Sequence, residues 1–320
     1  MSACSSRTPR TGRRLWLHWL RPVGHSGHRG ARLTQTVWLP VMLFALPLLT
    51  VVGCQQITPP PKIKLAYVNW ADGTALTHLV QAVLEQKLGY RVELTMADAA
   101  PVFTSVADGG YDAFMDAWVP VTHADYMERY SESLVDLGPN YQGTRIGLVV
   151  PDYVDAGSIA DLAQTPERFG KRIVGIDSGA GIMKATERAI DQYQLDLRLL
   201  PSSEAAMTAS LKQAIDRREP IVVTGWKPHW MFARWSLRFL NDPRDVFAGT
   251  ENIHTVVREG FVEDYPDAAN FLRNFQVNAE QLQGLMDQMR DPHSDPEIIA
   301  RRWVEAHPDV VSRWLGKGEA

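Results

Sequence analysis

Three tryptophans stand where predicted strands end: Trp70 in "YVNWADGT", Trp118 in "DAWVP" and Trp226 in "TGWKP". Ligands of open parallel sheets bind in the crevice beyond the carboxyl ends of the strands, so we expect the three indoles to face one cleft. The ring quadrupole of an indole attracts a cation without any hydrogen bond. Three such faces would form a cage for a quaternary ammonium group, although any one of them taken alone could be a packing residue of the core or of a lobe interface.

The cage alone supplies too little free energy for tight binding. An aromatic face contributes about 0.5 to 1 kcal/mol when exposed and about 2 kcal/mol when desolvated. Three desolvated faces give on the order of 6 kcal/mol, whereas a micromolar dissociation constant corresponds to about 8 kcal/mol. A second anchor on the ligand is therefore expected.

A glycine-rich loop offers that anchor. In "GIDSGAGIM" a strand ends and a helix begins, which leaves the backbone N–H groups of Gly181 and Ile182 free for a carboxylate at the positive end of the helix dipole. No Gly-Lys-Ser/Thr follows, so the loop is not a phosphate loop. His123, five residues after Trp118 in "WVPVTH", could donate a further hydrogen bond. The alternatives are an ordinary tight turn and a solvated histidine at a helix start.

A cage that faces a carboxylate cradle describes a small zwitterion with a quaternary ammonium group. Asp72 and Asp116 each lie two residues from a cage tryptophan, but aspartates at such places are more often turn residues, and the predicted site leaves them out. Four further tryptophans lie in helical patterns, where core packing is the expected role. They are Trp230, Trp235, Trp303 and Trp314.

Short apolar strands alternate with helical periodicity from Lys64 onward, which is typical of a parallel α/β sheet. Two series of elements have similar order and spacing, one ending at "DAFMDA" and one running from "RIVGI" to "IVVTG". We therefore predict two pseudo-equivalent lobes with parallel sheets, residues 63–148 with 255–320 and residues 149–254. Strands near 146–151 and 253–260 would cross between the lobes as hinges, and three helices after Asp264 would pack back on the first lobe. Further helices are expected over Thr74–Leu88, after Pro101, over Ile182–Tyr193 and over Glu204–Arg217.

The N-terminal segment is typical of an export signal. Residues 1–53 contain seven arginines and no Asp, Glu or Lys, and the apolar run in "VWLPVMLFALPLLTVVGC" is too short and too broken by proline for a comfortable membrane span. "VVGC" is similar to a bacterial lipobox, so we expect lipidation of Cys54 on the mature protein; a plain signal peptide or an uncleaved anchor are the alternatives. Residues 54–62 would be the lipidated cysteine and a Pro-rich tether. The folded body is expected on the periplasmic or cell-surface side of a bacterial membrane.

Charge and motif content exclude several classes of protein. From Cys54 onward, 26 basic residues face 37 acidic residues, a net charge of −11, so nucleic acid is not an expected partner. With only Cys4 and Cys54 in the chain, the folded body should have no disulfide. The sequence has no Gly-x-Ser-x-Gly elbow, no His-Glu-x-x-His pair and no clustered His-Cys set, so we expect neither catalysis nor a cofactor or metal.

Five motifs together carry a family resemblance: "VNWADGTALT", "FMDAWVPVTH", "GIDSGAGIM", "VVTGWKPHWMF" and "ENIHTVVREGF". They resemble the glycine betaine-binding subunits of ABC osmoprotectant importers, over roughly residues 62–289. The resemblance implies a type II periplasmic-binding-protein fold with two hinged lobes, in which the three tryptophans surround the trimethylammonium group. It also implies that the backbone amides of Gly181 and Ile182, together with His123, hold the ligand carboxylate.

The function implied by this resemblance is capture of glycine betaine, with proline betaine as a second candidate, and its delivery to the permease and ATPase subunits of an ABC importer. Ala71-Asp72 follows Trp70 where many relatives have Asp-Ser directly. A choline or carnitine receptor of the same fold therefore stays the alternative. An extracytoplasmic enzyme and a sensory adaptor that uses the cleft as a switch are the remaining classes.

Overall fold

The computed structural model of the chain describes residues 59–247 and 249–317. The predicted export signal, residues 1–53, and the predicted lipidation site, Cys54, lie outside these residues. Of the predicted tether, residues 59–61 are exposed and form no helix or strand, whereas Lys62 already belongs to the first strand. No helix within the described residues is long and apolar enough to cross a bilayer.

Helices and strands alternate along the described chain. Its strands are β1 (Lys62–Tyr67), β2 (Arg91–Met96), β3 (Ala113–Val119), β4 (Leu134–Pro151), β5 (Arg172–Val174), β6 (Arg198–Leu200), β7 (Val223–Lys227), β8 (Leu237–Phe239) and β9 (Glu251–Arg258). Its helices are α1 (Ala71–Leu88), α2 (Ala99–Ala107), α3 (Ala124–Arg129), α4 (Ile159–Leu162), α5 (Gly181–Tyr193), α6 (Glu204–Arg217), α7 (Met231–Arg234), α8 (Phe261–Asp264), α9 (Pro266–Asn274), α10 (Ala279–Met289), α11 (Pro296–Ala306) and α12 (Pro308–Trp314), with a 3-10 helix over Pro166–Phe169.

The sheet consists of two halves with the same strand order. In the first half, β1 pairs in parallel with β2 and β3, and β9 lies antiparallel beside β3. In the second half, β5 pairs in parallel with β6 and β7, and β4 lies antiparallel beside β7. We call these halves, with their attached helices, lobe 1 and lobe 2. The two-lobed α/β class is confirmed, but each sheet is mixed and not purely parallel, because the strand that enters from the other lobe runs against its neighbour.

The chain crosses between the lobes twice. Strand β4 pairs with β9 as far as Thr144 and with β7 from Arg145 onward, so a single strand belongs to both halves of the sheet. The second crossing returns the chain to lobe 1 where β9 begins, at Glu251. Strand pairing thus changes a few residues before the predicted boundaries at 148 and 254. The division of the chain into two separately moving lobes at these points stays a prediction.

The C-terminal helices cover lobe 1. From Pro266 onward there are four of them, α9 to α12, where the sequence predicted three. Pro308 explains the difference, since a proline has no N–H to continue α11 but fits the first position of a new helix. Helix α1, which begins at Ala71 and so three residues earlier than predicted, packs against α9, α10 and α11.

Two of the four tryptophans assigned to packing lie in this helical layer. Trp303 and Trp314 are buried and stack with ring centroids 5.7 Å apart, as their predicted role requires. Trp230 and Trp235 instead flank α7, a helix of only four residues, and both are half-buried. They lie at the two ends of this helix and not inside it, but both pack against the core, which is the role the sequence predicted.

Candidate functional site

All six residues predicted to hold a ligand line one cavity between the lobes. Lobe 1 contributes Trp70, Trp118 and His123, and lobe 2 contributes Gly181, Ile182 and Trp226. The structure brings these residues together; their role in binding stays a prediction.

The three indoles enter the cavity at strand ends. Trp118 and Trp226 are the penultimate residues of β3 and β7, and Trp70 is the N-cap residue of α1, three residues after β1 ends. Strand β7 ends two residues later than predicted, at Lys227, so the strand itself delivers Trp226 to the cavity. The indoles are between 3% and 6% exposed, so a cation among them would be well desolvated.

Each indole N–H is bound by an aspartate. One of these hydrogen bonds lies within lobe 1, and the other two cross the cleft in opposite directions. The donors and acceptors are Trp118 Nε1 and Asp116 Oδ1 (2.8 Å), Trp70 Nε1 and Asp177 Oδ2 (2.9 Å), and Trp226 Nε1 and Asp72 Oδ1 (3.1 Å). Because their N–H groups are engaged, the indoles offer a ligand only carbon surface.

Asp72 and Asp116 form a buried carboxyl pair. Burial, followed by the charge of Glu204, raises the pKa of Asp72 to about 6, against the opposing effects of His229 and the Trp226 hydrogen bond. Burial and the adjacent Asp72 raise the pKa of Asp116 well above its usual range. Neighbouring carboxylates resist losing both protons. The two oxygens without other partners, Asp72 Oδ2 and Asp116 Oδ2, are the places where the pair can share a proton.

His123 is a neutral hydrogen-bond donor. The backbone N–H of Trp118 donates to His123 Nδ1 at 2.9 Å, so the proton of the neutral imidazole is on Nε2. That Nε2 is buried and has no partner among the described residues. Burial, and then the charge of Lys184, lower the pKa of His123 to about 3. The ring therefore stays uncharged near neutral pH, and Trp70 stacks on it at 6.0 Å.

Gly181 and Ile182 open α5, in whose first turn a backbone N–H has no intrahelical acceptor. Neither N–H donates a hydrogen bond within the described residues. Gly181 also lies against the other lobe, because a Cβ built on it would be 2.1 Å from the carbonyl oxygen of Thr122. Only glycine permits so close an approach. Three free N–H groups, two from the backbone and one from His123, thus share the cavity with three indoles.

Further contacts hold the lobes together around the cavity. Their partners come from the first residues of α1 and α6, from the loop before α5, and from the surfaces of α3 and α5. The contacts are Ala71 N–H to Glu204 Oε2 (2.8 Å), Tyr126 Oη to the Gly179 carbonyl (3.0 Å) and Lys184 Nζ to Asp125 Oδ2 (2.8 Å). The lobes are therefore closed over the cavity.

Glu251 holds the segment that meets Gly181. Its carboxylate accepts the backbone N–H groups of Val121 (3.2 Å) and Thr122 (2.9 Å) and the Thr122 hydroxyl. Glu251 is the first residue of β9, at the second crossing, and is buried. The second crossing and the segment that meets Gly181 are thus physically joined.

Sequence reasoning missed the carboxylates around the cage. Asp72 and Asp116 are not in the predicted site, although their spacing of two residues from a tryptophan is a usable signal. For Asp177, its place just after a strand, in "GID", was the only hint. Glu251 gave no sign, because a single glutamate at a strand start has many ordinary roles.

Two α/β lobes of matching strand order, joined by crossing strands and closed over a small cavity, define the type II class of periplasmic binding proteins. The family model described as the substrate-binding domain of ABC-type glycine betaine transport systems matches residues 61–306. The chain belongs to this family.

Individual relatives agree with this assignment. The glycine betaine/carnitine transport binding protein GbuC of Listeria monocytogenes is 48% identical over 151 residues, which are 46% of this chain and 50% of GbuC. The chain therefore matches only about half the length of that relative.

Two solved structures cover more of the chain. The glycine/betaine/L-proline-binding protein ProX from Borrelia burgdorferi is 37% identical with a TM-score of 0.77, over 79% of this chain and 96% of that one. Lactococcal OpuAC, in a closed form complexed with glycine betaine, is 35% identical with a TM-score of 0.75, over 80% and 99% of the two chains.

Proposed function

We propose that this protein is an extracytoplasmic receptor that binds glycine betaine in the indole cage, takes proline betaine as a second ligand, and delivers both to an ABC importer for osmoprotection. One observation carries the proposal: three indoles whose N–H groups are occupied share one small cavity with three N–H donors that have no acceptor among the described residues. The relatives named for glycine betaine support the same ligand.

The indole wall suits the trimethylammonium end of the ligand. A quaternary nitrogen has no N–H to donate, so binding it requires aromatic faces and not acceptors. Trp70, Trp118 and Trp226 provide those faces, and the carboxyl groups that accept their N–H groups, including a pair that shares about one negative charge, lie behind the rings. This end of the cavity thus selects a cation that has no hydrogen-bond donor.

The opposite end suits the carboxylate. Gly181 and Ile182 would donate from the first turn of α5, where the helix dipole favours an anion, and His123 would donate from Nε2. Because His123 is neutral, it binds an anion through a dipole and does not compete as a cation for the indoles. A hydrogen bond to a charged group is worth about 1.5 to 3 kcal/mol. These hydrogen bonds would supply the binding free energy that the indole cage alone lacks for a micromolar dissociation constant.

Closure of the lobes would complete the site. Trp70 and Trp226 find their aspartate partners only across the cleft. We infer that a bound ligand stabilises the closed form, which is then the form presented to the permease and ATPase subunits. The same contacts would break when the lobes open to release the ligand.

The test is direct titration. Glycine betaine should quench or shift the intrinsic tryptophan fluorescence of the purified protein, and calorimetry should give a dissociation constant in the micromolar range. Trp118→Ala should weaken binding at least a hundredfold, whereas Trp235→Ala, outside the cavity, should bind within a few-fold of the parent. No response to millimolar glycine betaine, or unchanged binding by Trp118→Ala, would sink the proposal.

A choline or carnitine receptor is the second candidate. Asp72 lines the cavity and its Oδ2 has no partner among the described residues, so it could accept a hydrogen bond from a ligand hydroxyl. The name of GbuC includes carnitine. Competition decides between them, since choline lacks the carboxylate that Gly181, Ile182 and His123 would hold. Tighter binding of choline than of glycine betaine would show that the carboxylate assignment is wrong.

We further propose that Cys54 carries the lipid that anchors the exported protein to the membrane. The support is the "VVGC" motif after an apolar run, followed by a Pro-rich tether. Expressed in a bacterial host, the full chain should fractionate with membranes and its mature N-terminus should have the mass of a lipidated cysteine. Cys54→Ala should abolish that modification; a soluble parent with an unmodified Cys54 would contradict the anchor.

A further inference from the structure

We propose that Asp72, Asp116 and Asp177 are positioning residues that make the indole cage select a cation over an uncharged group of the same shape. The proposal rests on the proposed function, because it assumes that a quaternary ammonium group occupies the cage. It assigns to the three aspartates the part of the specificity that the indole rings alone do not supply.

The geometry gives every cage indole one carboxyl partner. Each aspartate accepts the N–H of a different ring, at distances between 2.8 and 3.1 Å. The second oxygen of each carboxyl group is buried and has no hydrogen-bond partner in the described part of the chain. These oxygens are Asp72 Oδ2, Asp116 Oδ2 and Asp177 Oδ1.

No basic side chain neutralises this charge directly. Within the described residues, none of the three aspartates forms an ion pair with lysine or arginine. His229 lowers the pKa of Asp72, but its Nε2 lies 3.1 Å from a second acid, Glu204 Oε1. The net negative charge of these carboxyl groups therefore lies behind the indole rings, and a cation inside the cage can balance it.

A carboxylate that accepts an indole N–H acts on the ligand in two ways. It fixes the plane of the ring, which helps any ligand that fits. It also places negative charge behind the ring, which attracts a cation on the other face but not a neutral group, and the attraction is strong because the site is desolvated. The two effects are separable, because only the second depends on the charge of the ligand.

The three aspartates should not contribute independently. Asp72 and Asp116 lie together and resist losing both protons, so the pair holds about one negative charge. When one member becomes asparagine, the other no longer has a like-charged neighbour and can keep the single negative charge, so only replacing both removes it. Asp177 binds a separate indole from the other lobe, so its effect should add to that of the pair.

The experiment compares two ligands that differ only in charge at one end. Glycine betaine and 3,3-dimethylbutanoate share the carboxylate and the shape, but the second has a carbon where the first has the quaternary nitrogen. Dissociation constants for both are measured by calorimetry, with displacement for the weaker one. The variants are Asp72→Asn, Asp116→Asn, their double variant and Asp177→Asn, in which asparagine keeps an acceptor for the indole N–H.

The expected result is a fall in the preference for glycine betaine on the order of tenfold in Asp177→Asn and in the double variant of the pair. The preference should fall less in either single variant of the pair than in the double variant. Asp98→Asn is the matched control, because Asp98 is exposed, lies near enough to influence Asp177 and binds no indole. Its preference should stay within about twofold of the parent.

Equal weakening of both ligands in Asp177→Asn and in the double variant would mean that the aspartates only hold the rings in place, and would overturn the proposal, as would an unchanged preference in these two variants. If Asp72→Asn or Asp116→Asn does not fold, Asp177→Asn decides, since Asp177 is only half-buried. If the parent protein binds neither ligand, the proposed function is wrong and this inference with it. If the parent binds glycine betaine but the variants keep its preference, only this inference is wrong.

Discussion

Strands β3 and β7 occupy equivalent places in the two lobes, yet they hold their tryptophans differently. In lobe 1, Trp118 donates its N–H to Asp116, two residues earlier in the same strand. The equivalent of Asp116 in lobe 2 is Thr224, and Trp226 instead donates to Asp72 across the cleft. One indole is thus set by its own lobe and the other by the opposite lobe.

The Trp118 side of the cage is preformed within lobe 1, whereas the sides formed by Trp70 and Trp226 are completed only when the lobes close. The Trp118–Asp116 bond can exist whether the lobes are open or closed, because both residues move together. The Trp226–Asp72 and Trp70–Asp177 bonds exist only when the lobes meet. We therefore expect lobe 1 to offer the first face to an arriving ligand, and lobe 2 to add its face at the cost of ordering the closed form.

The largest effect should come from Gly181→Ala, which blocks closure itself. The new Cβ would lie 2.1 Å from the Thr122 carbonyl oxygen, which Glu251 holds in place. Overlap of this kind costs about 1 to 3 kcal/mol or more, so the affinity for glycine betaine should fall on the order of a hundredfold, while the melting temperature of the ligand-free protein changes little. Calorimetry and thermal unfolding measure the two quantities.

The matched control is Gly179→Ala in the same loop. There the nearest atom to a new Cβ is the Ala100 nitrogen, at an ordinary contact distance of 3.7 Å. This variant should bind within a few-fold of the parent. Equal loss of affinity in both glycine variants would mean that loop flexibility, and not the closure contact, limits binding.

The next prediction compares the preformed Trp118 side of the cage with the Trp226 side, which forms on closure. Phenylalanine keeps an aromatic face but lacks the indole N–H. Trp118→Phe leaves the buried Asp116 without its donor in the open and closed forms alike, so it should destabilise the ligand-free protein by about 1 to 3 kcal/mol. Trp226→Phe removes a bond of the closed form only. It should lower affinity about tenfold with a much smaller change in ligand-free stability.

Denaturant unfolding without ligand and calorimetry with glycine betaine separate these two variants. The two variants are each other's control, because the chemical change is the same at pseudo-equivalent positions. If both lose the same ligand-free stability, the Trp226–Asp72 bond persists in the ligand-free protein and the distinction between the two sides of the cage is wrong.

Features that depend on near neighbours in the chain could be predicted from the sequence, whereas contacts between the lobes could not. Periodicity predicted helix α6 with its observed bounds. The positions of residues at strand and helix ends predicted that the six site residues would lie together, and they line one cavity. Both predictions depend on neighbours only a few positions away in the chain. The aspartate partners of Trp70 and Trp226 stand 107 and 154 positions away. Nothing local marks such pairs, because only the closed arrangement of the lobes brings them together.

The first part of β4 was missed for a local reason. Gly138, Pro139 and Gly143 interrupt its apolar pattern, which is typical of a loop. In the structure, the ladder with β9 continues through this stretch by shifting register near each interruption. Pairing to a regular neighbour thus overrides the weak strand propensity of the segment.

A third prediction concerns the pH dependence of the carboxyl pair. With its pKa raised to about 6 from 3.8, Asp72 keeps a proton in the folded state that the unfolded chain releases, so its contribution to stability falls as pH rises between about 4 and 6. Asp116, Glu204 and His229 are the titratable groups that face it. Asp72→Asn should therefore gain stability relative to the parent as pH rises through this window.

His123 acts in the opposite direction. Its pKa is lowered to about 3, so the stability it contributes is present above about pH 6.5 and is lost as pH falls toward 3. The parent profile should accordingly be flat where the two contributions overlap, and Asp72→Asn should expose the rise due to His123. Melting temperatures from pH 4 to 7 measure this, with the exposed Glu187→Gln as a control that stays parallel to the parent. A constant offset of Asp72→Asn at every pH would contradict the assignment.

The smallest effect should come from the exposed contact across the cleft. Lys184 Nζ and Asp125 Oδ2 lie 2.8 Å apart on opposite lobes, with side chains 41% and 72% exposed. An exposed ion pair is worth about 0.2 to 1 kcal/mol and is screened by salt, so Lys184→Gln should weaken binding only about twofold to fivefold at low ionic strength and less at 1 M salt. Lys212→Gln, which breaks a pair with Asp216 inside lobe 2, should leave affinity unchanged at either salt concentration. A larger loss in Lys184→Gln that salt does not reduce would place Lys184 among the groups that hold the ligand carboxylate, and the free N–H groups would then not be the whole of that anchor.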